Sequence, residues 1–528
     1  MSSLGRNLLS TGGFTLISRV TGFFRDVMLG AILGAGALAD AFYIALRIPN
    51  HFRAIFGEGA FNSAYVPAFA RVLETQGEEA AKRFSAQMFT LLLMSQIVLL
   101  IAALVFTRPL LSLLAPGLEA DPARMADAVA MTRITFPYLL CVTLVTLLAG
   151  TLNAHGRFAA AAFAPVLLNL AIMAFLAVAF LFPHAGFAAS VGVLVAGVLE
   201  LALMIEVCRR ANILALFAWP GWTDDIKKFF KSFLPAVIGS AGVQIAIFAD
   251  TIIGSLLPAG GVSSIYYADR LYQLPVGVIG IAAGTVLLPE MSRRFAANDT
   301  QGALGAQSRT MALTVALAAP FFVAFLVIPE LIMRGVFMRG AYTAVDAAAS
   351  ARVLAAYGAG LLAVVLIRSA VASFQARGDT MTPMMISLGA IAINVSIKLA
   401  LYQPLGASGL AIATAIGAWI NFTLLAALAM RRGDMRPDAL FWKTLGAAAV
   451  AGIAMGVFVW FAEGIARSLV AGAHADLIGL GALALASAIV YFAILLAFLY
   501  ALGVRPGRLR PLRRTAADKN TIDPGQSV

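Results

Sequence analysis

The sequence predicts an all-α polytopic membrane protein with about fourteen transmembrane helices, in two six-helix parallel-repeat lobes plus two C-terminal helices. Hydrophobic residues make up 61% of the 528 positions and charged residues only 12%, whereas charged residues are about 25% of a soluble domain. The apolar runs are about 20 residues or longer and do not alternate with polar residues, which favours helices over a barrel. A repeat of about 222 residues, described below, indicates the two lobes.

Each predicted span is an apolar run bounded by charged or turn-forming residues. Gly22 and Pro49 interrupt the first two spans and predict bent helices that line a cavity. The fourteen spans are predicted at residues 8–33, 38–70, 84–106, 127–153, 158–182, 186–208, 228–257, 263–292, 308–333, 347–375, 381–403, 407–430, 441–462 and 477–503.

The loops differ in charge according to the span that they follow. Loops after even-numbered spans hold most of the basic residues, including Arg209, Arg210, Arg431 and Arg432. Cytoplasmic loops of membrane proteins are enriched in lysine and arginine, so both termini are expected in the cytoplasm. The net charge of +12 is then due to the basic residues of the cytoplasmic loops, and no nucleic-acid partner is expected.

Local sequence features recur at an offset of 222 to 224 residues. Arg209-Arg210 recurs as Arg431-Arg432, and Ala185-Gly186 recurs as Ser408-Gly409. An even number of spans in each repeat gives both lobes the same orientation, as in transporters with parallel repeats. The predicted domains are an N-terminal lobe (1–215), a C-terminal lobe (216–436), two additional helices (437–503) and a basic, disordered cytoplasmic tail (504–528).

Seven formal charges lie inside apolar sequence between residues 14 and 61. Arg19 falls about 16 Å from the start of the first span, near the bilayer midplane. A guanidinium there costs at least about 2.5 kcal/mol, so it is expected to face protein, water or an anion. Two interpretations remain open, an anion or ion pathway and a set of arginine-carboxylate pairs that brace two helices. The seven residues are Arg19, Arg25, Asp26, Asp40, Arg47, Arg53 and Glu58.

The second lobe lacks charge at the positions that correspond to Asp40, Arg53 and Glu58. It retains Asp250, the pair Asp269-Arg270, and Lys398. This asymmetry predicts a cavity with one charged wall, into which Arg270 reaches from the other lobe. Asp250 and Lys398 are candidates for an ion-coupling site or a buried structural pair.

Several short motifs of the chain are typical of one family. The motifs are Ser18-Arg19-Val20 with Gly22-Phe23 and Arg25-Asp26, Gly34-Ala35-Gly36 with Asp40-Ala41-Phe42, Pro49-Asn50 with Arg53, Phe56 and Glu58-Gly59-Ala60-Phe61, Ala115-Pro116-Gly117, Tyr266-Tyr267-Ala268-Asp269-Arg270-Leu271, and Gly284-Thr285-Val286-Leu287-Leu288-Pro289. On these motifs the chain resembles, over about residues 5–505, the MurJ/MviN-type lipid II flippases of the multidrug/oligosaccharidyl-lipid/polysaccharide exporter superfamily.

The resemblance implies an inner-membrane transporter that moves an undecaprenyl-pyrophosphate-linked disaccharide-pentapeptide, lipid II, outward by alternating access. It also implies that the two C-terminal helices flank a groove for the polyprenyl tail. This chain has Ala54 where many relatives have a second basic residue beside Arg53. The substrate-binding residues that the resemblance implies are Arg19, Arg25, Asp26, Asp40, Arg53, Glu58, Ser263 and Arg270.

Arginine chemistry fits such a cargo independently. A pyrophosphate diester carries about two negative charges, and arginine offers a bidentate fork that stays charged at any depth. The alternative is a multidrug or O-antigen-type exporter of the same superfamily. However, arginine outnumbers acid in the first lobe, which favours an anionic cargo over cationic drugs.

Other classes of protein fit the sequence less well. A membrane glycosyltransferase or phosphatase would need a nucleotide loop or a histidine cluster, and the sequence has neither. We therefore expect a transporter rather than an enzyme, with no cofactor and no metal. Cys141 and Cys208 are expected to be inert core residues. The expected partners are lipid II, membrane lipids and a coupling ion.

Overall fold

The computed structural model describes residues 3–56, 60–469 and 475–504, and within these ranges the regular structure is helical. The first ten α-helices are α1 (Ser3–Leu33), α2 (Ala37–Phe56), α3 (Ala60–Gln76), α4 (Glu78–Val105), α5 (Thr107–Leu114), α6 (Pro122–Thr135), α7 (Pro137–Ala154), α8 (Ala159–Ala177), α9 (Ala185–Arg210) and α10 (Asp224–Ser255). The remaining helices are α11 (Gly261–Pro275), α12 (Ile281–Ala296), α13 (Thr300–Val327), α14 (Pro329–Phe337), α15 (Ala344–Gln375), α16 (Met381–Arg431), α17 (Ala439–Leu469) and α18 (Ala475–Ala501).

Ten helical segments of the described chain are long and apolar enough to cross a membrane. The helices α1 and α2 are not among these ten, and both carry the charged residues identified above. The chain is a multi-pass membrane protein, while the number fourteen stays a prediction. Neither Gly22 nor Pro49 ends its helix, since α1 and α2 continue through these positions.

Proline explains two places where helix boundaries depart from the predicted spans. The predicted ninth span continues to residue 333, but α13 ends at Val327 and Pro329 begins α14, because proline has no N–H to continue a helix. Pro137 begins α7 in the same way inside the predicted fourth span. The second predicted span covers α2 and α3, and residues 57–59 between them lie outside the described residues.

The longest helix supports the prediction of two consecutive spans. At 51 residues, α16 would be about 76 Å long if straight, more than twice the thickness of a hydrocarbon core. Gly406 has non-helical dihedral angles (φ 56°, ψ −137°). It lies between the predicted spans 381–403 and 407–430 and divides the helix there.

The described chain forms two compact units. The first contains the residues up to Arg270 with Val336–Leu354 and Ile391–Thr414, and the second contains Leu271–Gly335, Ala355–Ala390 and the described residues from Ala415 onwards. The first unit has a core around Tyr65, Phe69 and Phe84. The lobe boundaries at 215 and 436 stay predictions.

In the second unit, α17 packs against both α13 and α18. The core there includes Phe374, Met455 and Tyr491, and the Tyr491 hydroxyl donates to the Ala316 carbonyl at 2.9 Å. Because the hydroxyl, the only polar atom of the side chain, has a hydrogen-bond partner, the Tyr491 ring can be fully buried.

Candidate functional site

The centre of the candidate site is the carboxylate of Asp26 on α1, in the first unit. Arg25 donates to its Oδ1 atom from Nε at 3.0 Å and from Nη2 at 2.7 Å. The Tyr266 hydroxyl on α11 donates to the same oxygen at 3.0 Å. Arg270 Nε lies 3.6 Å from Oδ2. We call Arg25, Asp26, Tyr266 and Arg270 the α1–α11 cluster.

Arg25 is held within this cluster by further contacts. Its Nη1 donates to Asn169 Oδ1 on α8 at 2.9 Å, and its side chain is only 12% exposed. Asn169 Nδ2 in turn donates to the Ser18 carbonyl at 2.9 Å and to Thr21 Oγ1 at 3.0 Å. The charge of Arg25 is therefore already shared among protein acceptors.

Arg270 differs from Arg25 in its exposure. Its side chain is 42% exposed, and its Cζ lies 4.4 Å from the centroid of the Tyr266 ring. The Tyr266 ring stacks on Tyr43 with 3.8 Å between centroids. A cation over an aromatic face is oriented without losing its hydrogen-bond donors. Arg270 can therefore offer its fork to an anion while Tyr266 holds its position.

Asp40 on α2 forms a second, fully buried arrangement. It accepts hydrogen bonds from Arg124 Nη2 on α6 at 2.8 Å, from the Gly260 N–H at 2.8 Å, and from the N–H and hydroxyl of Ser263, both at 2.7 Å. Its side chain has 0% exposure and that of Arg124 has 5%. These contacts join α2 to α6 and to the start of α11.

The other predicted site residues lie outside both arrangements. Arg19 is exposed and precedes Arg25 by six residues, or about 9 Å along α1. Arg53 Nε donates to Asn50 Oδ1 at 3.1 Å within α2. Glu58 lies outside the described residues. Lys398 Nζ is 2.5 Å from Asp250, so these two residues do form an ion pair.

Three residues of the site were absent from the sequence-based prediction. Asn169 lies in an apolar span, where a buried amide requires partners, and this signal could have identified it. Tyr266 begins the motif that contains Arg270, but a tyrosine in a helix does not by itself indicate a binding site. Arg124 was predicted in a loop, and only the fold reveals its contact with Asp40.

An apolar groove of about 380 Å³ lies in the second unit between α13 and α17. Val323 and Leu326 line one side, and Gly452 and Gly456 lie on the other. A Cβ atom added at Gly452 would lie 3.2 Å from Val323, so the absence of a side chain keeps the groove open. The helix α17 on one side of this groove is the first of the two additional C-terminal helices.

Comparison with known proteins gives a consistent result. A family model described as lipid II flippase MurJ matches residues 29–479. The chain belongs to the MurJ lipid II flippase family. A probable lipid II flippase MurJ of Rhizobium meliloti is 39% identical over 525 residues, covering 97% of this chain and 96% of that protein. The lipid II flippase MurJ of Burkholderia cenocepacia is 34% identical, covering 85% of this chain and 89% of that protein.

Solved structures show the same fold. A lipid II flippase MurJ in an inward closed conformation matches with a TM-score of 0.78 at 23% identity, covering 93% of this chain and 99% of that one. An inward-facing multidrug resistance MATE family transporter of the MOP superfamily matches with a TM-score of 0.65 at 13% identity, covering 80% and 97%. The MurJ family therefore shares its helical fold with transporters of other cargo.

Proposed function

We propose that this protein flips lipid II from the cytoplasmic to the periplasmic leaflet of the inner membrane by alternating access. Membership of the MurJ family supports the cargo, since relatives matched over most of this chain are named as lipid II flippases. The single structural observation that carries the proposal is Arg270, a half-exposed guanidinium held over the Tyr266 ring.

The pyrophosphate of the cargo is bound first by Arg270. Asp26 lies 3.6 Å from Arg270 Nε, beyond ordinary hydrogen-bond length, so an incoming phosphate oxygen competes with a weak contact. Arg19, which is exposed on the same helix as Asp26, supplies a second charge. Arg25 remains tied to Asp26 and Asn169 and positions the carboxylate between the arginines.

Asp40 and Ser263 have a different role in this proposal. Their side chains are fully buried and hydrogen-bonded to each other. They hold α2, α6 and α11 together and do not contact cargo. The polyprenyl tail occupies the apolar groove between α13 and α17, so that tail and pyrophosphate follow separate routes.

Substitutions at Arg270 test the proposal. Removing a phosphate contact costs on the order of 1 to 3 kcal/mol, so Arg270→Ala should lower lipid II affinity roughly five- to 150-fold at normal abundance. Arg270→Lys keeps the charge but loses the bidentate fork, and should retain partial function. Arg108→Ala, at an exposed arginine on α5, is the matched control. The measurements are lipid II binding by purified protein and complementation of a flippase-depleted strain.

A bracing role for Arg270 predicts a different pattern. Arg270→Ala would then lower abundance, and neutralising its partner with Asp26→Asn would restore it. Asp40→Asn shows how abundance responds when a residue that does hold helices together is changed. It leaves the buried Arg124 charge uncompensated at a cost of about 3 to 5 kcal/mol and should reduce abundance sharply.

A further inference from the structure

A cavity in the second unit, separate from the residues assigned above, lies between α12 and α13. Its volume is about 440 Å³, within the range of ligand-binding pockets. One end is charged and is lined by Glu290, Arg293 and Arg309. The remainder is lined mainly by aliphatic side chains such as Val278, Val286, Leu313 and Leu317.

The apolar walls of this cavity are open at the protein surface. Val278 is 65% exposed, Val286 is 58% exposed and Leu317 is 38% exposed. Leu317 follows Arg309 by eight residues, which places the apolar end about 12 Å further along α13 than the charged end. The lining therefore changes from cationic to aliphatic along the axis of α13.

The charges at the cationic end do not cancel. Glu290 pairs with Arg293 and with Arg294, each at 2.7 Å, and Arg294 also pairs with Asp299 at 2.7 Å. The Gly302 N–H and the Arg294 guanidinium lower the pKa of Asp299, which keeps that carboxylate ionised. The positive charges of Arg293 and Arg294 are therefore balanced by the two carboxylates, Glu290 and Asp299.

Arg309 supplies the remaining charge. It is partly buried, and no carboxylate in the described ranges lies within salt-bridge distance of its guanidinium. The cationic end of the cavity thus has one positive charge in excess.

We propose that this cavity binds one anionic phospholipid of the bilayer, with its phosphodiester at Arg309 and an acyl chain along the aliphatic wall. A phosphodiester carries one negative charge and matches the single excess charge, whereas the pyrophosphate of a polyprenyl-linked cargo would bring about two. Basic pockets between transmembrane helices are known to hold lipid head groups in this way. The turn between α12 and α13 follows an even-numbered span, so the site belongs to the cytoplasmic leaflet.

Lipid titration of the delipidated full-length protein tests this site. Phosphatidylglycerol is added, and bound molecules are counted by native mass spectrometry. Phosphatidylcholine serves as the zwitterionic probe, because it has the same phosphodiester but its choline cation adds positive charge beside Arg309. We expect one phosphatidylglycerol to bind at least tenfold more tightly than phosphatidylcholine. Arg309→Gln should abolish this preference, and Leu313→Trp, which fills the apolar end, should weaken binding of both lipids.

Two further variants separate charge from folding. Arg309→Lys keeps the positive charge and should keep the preference, while Arg431→Gln, at an exposed arginine ending α16, should bind as wild type. Retention of the preference in Arg309→Gln would overturn the proposal, as would its complete loss in Arg309→Lys. Displacement of phosphatidylglycerol from this site by a polyprenyl pyrophosphate at equal concentration would instead assign the cavity to the cargo.

Discussion

The individual arginines of the α1–α11 cluster differ in how strongly the protein already binds them. Arg25 has acceptors on Asp26 and Asn169 and is nearly buried, whereas Arg270 is 42% exposed, lies over the Tyr266 ring and is 3.6 Å from Asp26. An anion gains most from a guanidinium whose donors are unused, because it does not first have to break protein hydrogen bonds. By burial and pairing, Arg270 is therefore more available to cargo than Arg25.

Asp250 and Lys398 form an ion pair in which the lysine side chain is 6% exposed and the aspartate 45%. We propose a coupling role, since moving one charge through 100 mV is worth about 2.3 kcal/mol. Asp250→Asn and Lys398→Met should then each weaken the dependence of lipid II flipping on an imposed membrane potential. The measurement is flipping in vesicles as the potential is varied.

The double variant distinguishes coupling from structure. If the pair only stabilises the fold, combining Asp250→Asn with Lys398→Met should restore the abundance lost in either single variant. The potential dependence would then equal that of the wild type, and this outcome would exclude coupling.

Helices approach one another most closely where glycine replaces a side chain. Gly340, after α14, has φ of 59°, and a Cβ atom there would clash with the Ala31 carbonyl oxygen of α1. The next residue, Ala341, donates its N–H to that same oxygen at 2.7 Å. This turn is therefore docked on α1 through its backbone.

Gly340→Ala should destabilise the protein. A left-handed conformation alone costs an L-residue about 1 to 3 kcal/mol, and the contact with Ala31 adds to this. We expect a clear fall in the melting temperature of the purified protein. Gly446→Ala in α17 is the control, because nothing lies within 4 Å of its added Cβ. Gly446→Ala should raise stability slightly, since alanine favours a helix by about 0.5 to 1 kcal/mol. Equal melting temperatures for the two variants would contradict this account.

For the whole molecule, the charge of the loops predicts the topology. Basic residues such as Arg431 and Arg432 follow even-numbered spans, so both termini should be cytoplasmic. An alkaline phosphatase fused after Gly340 should be active, and one fused after Arg432 inactive. Activity is measured in whole cells, with fusion abundance as the control. The opposite pattern of activities would reject this topology.

The composition and the length of the apolar runs were sufficient to predict a helical membrane protein. Backbone polar groups in hydrocarbon must be hydrogen-bonded within the protein, and few structures other than helices achieve this. The break between the spans predicted at 381–403 and 407–430 also agrees with the structure, in which Gly406 interrupts α16. By contrast, the ninth predicted span contains two helices, α13 and α14. Helix ends depend on which backbone groups find partners, and apolarity does not determine that.

The sequence by itself indicated that charge was concentrated in the first two spans and at Arg270, and motif resemblance indicated the family. Only the tertiary structure decided which charges are already paired. Asp40 and Ser263 lie within the same predicted site as Arg270, but the fold buries both, with Asp40 bonded to Ser263 and to Arg124, 84 residues away in the chain. Pairing of this kind depends on the packing of distant helices, and no local pattern in the sequence encodes it.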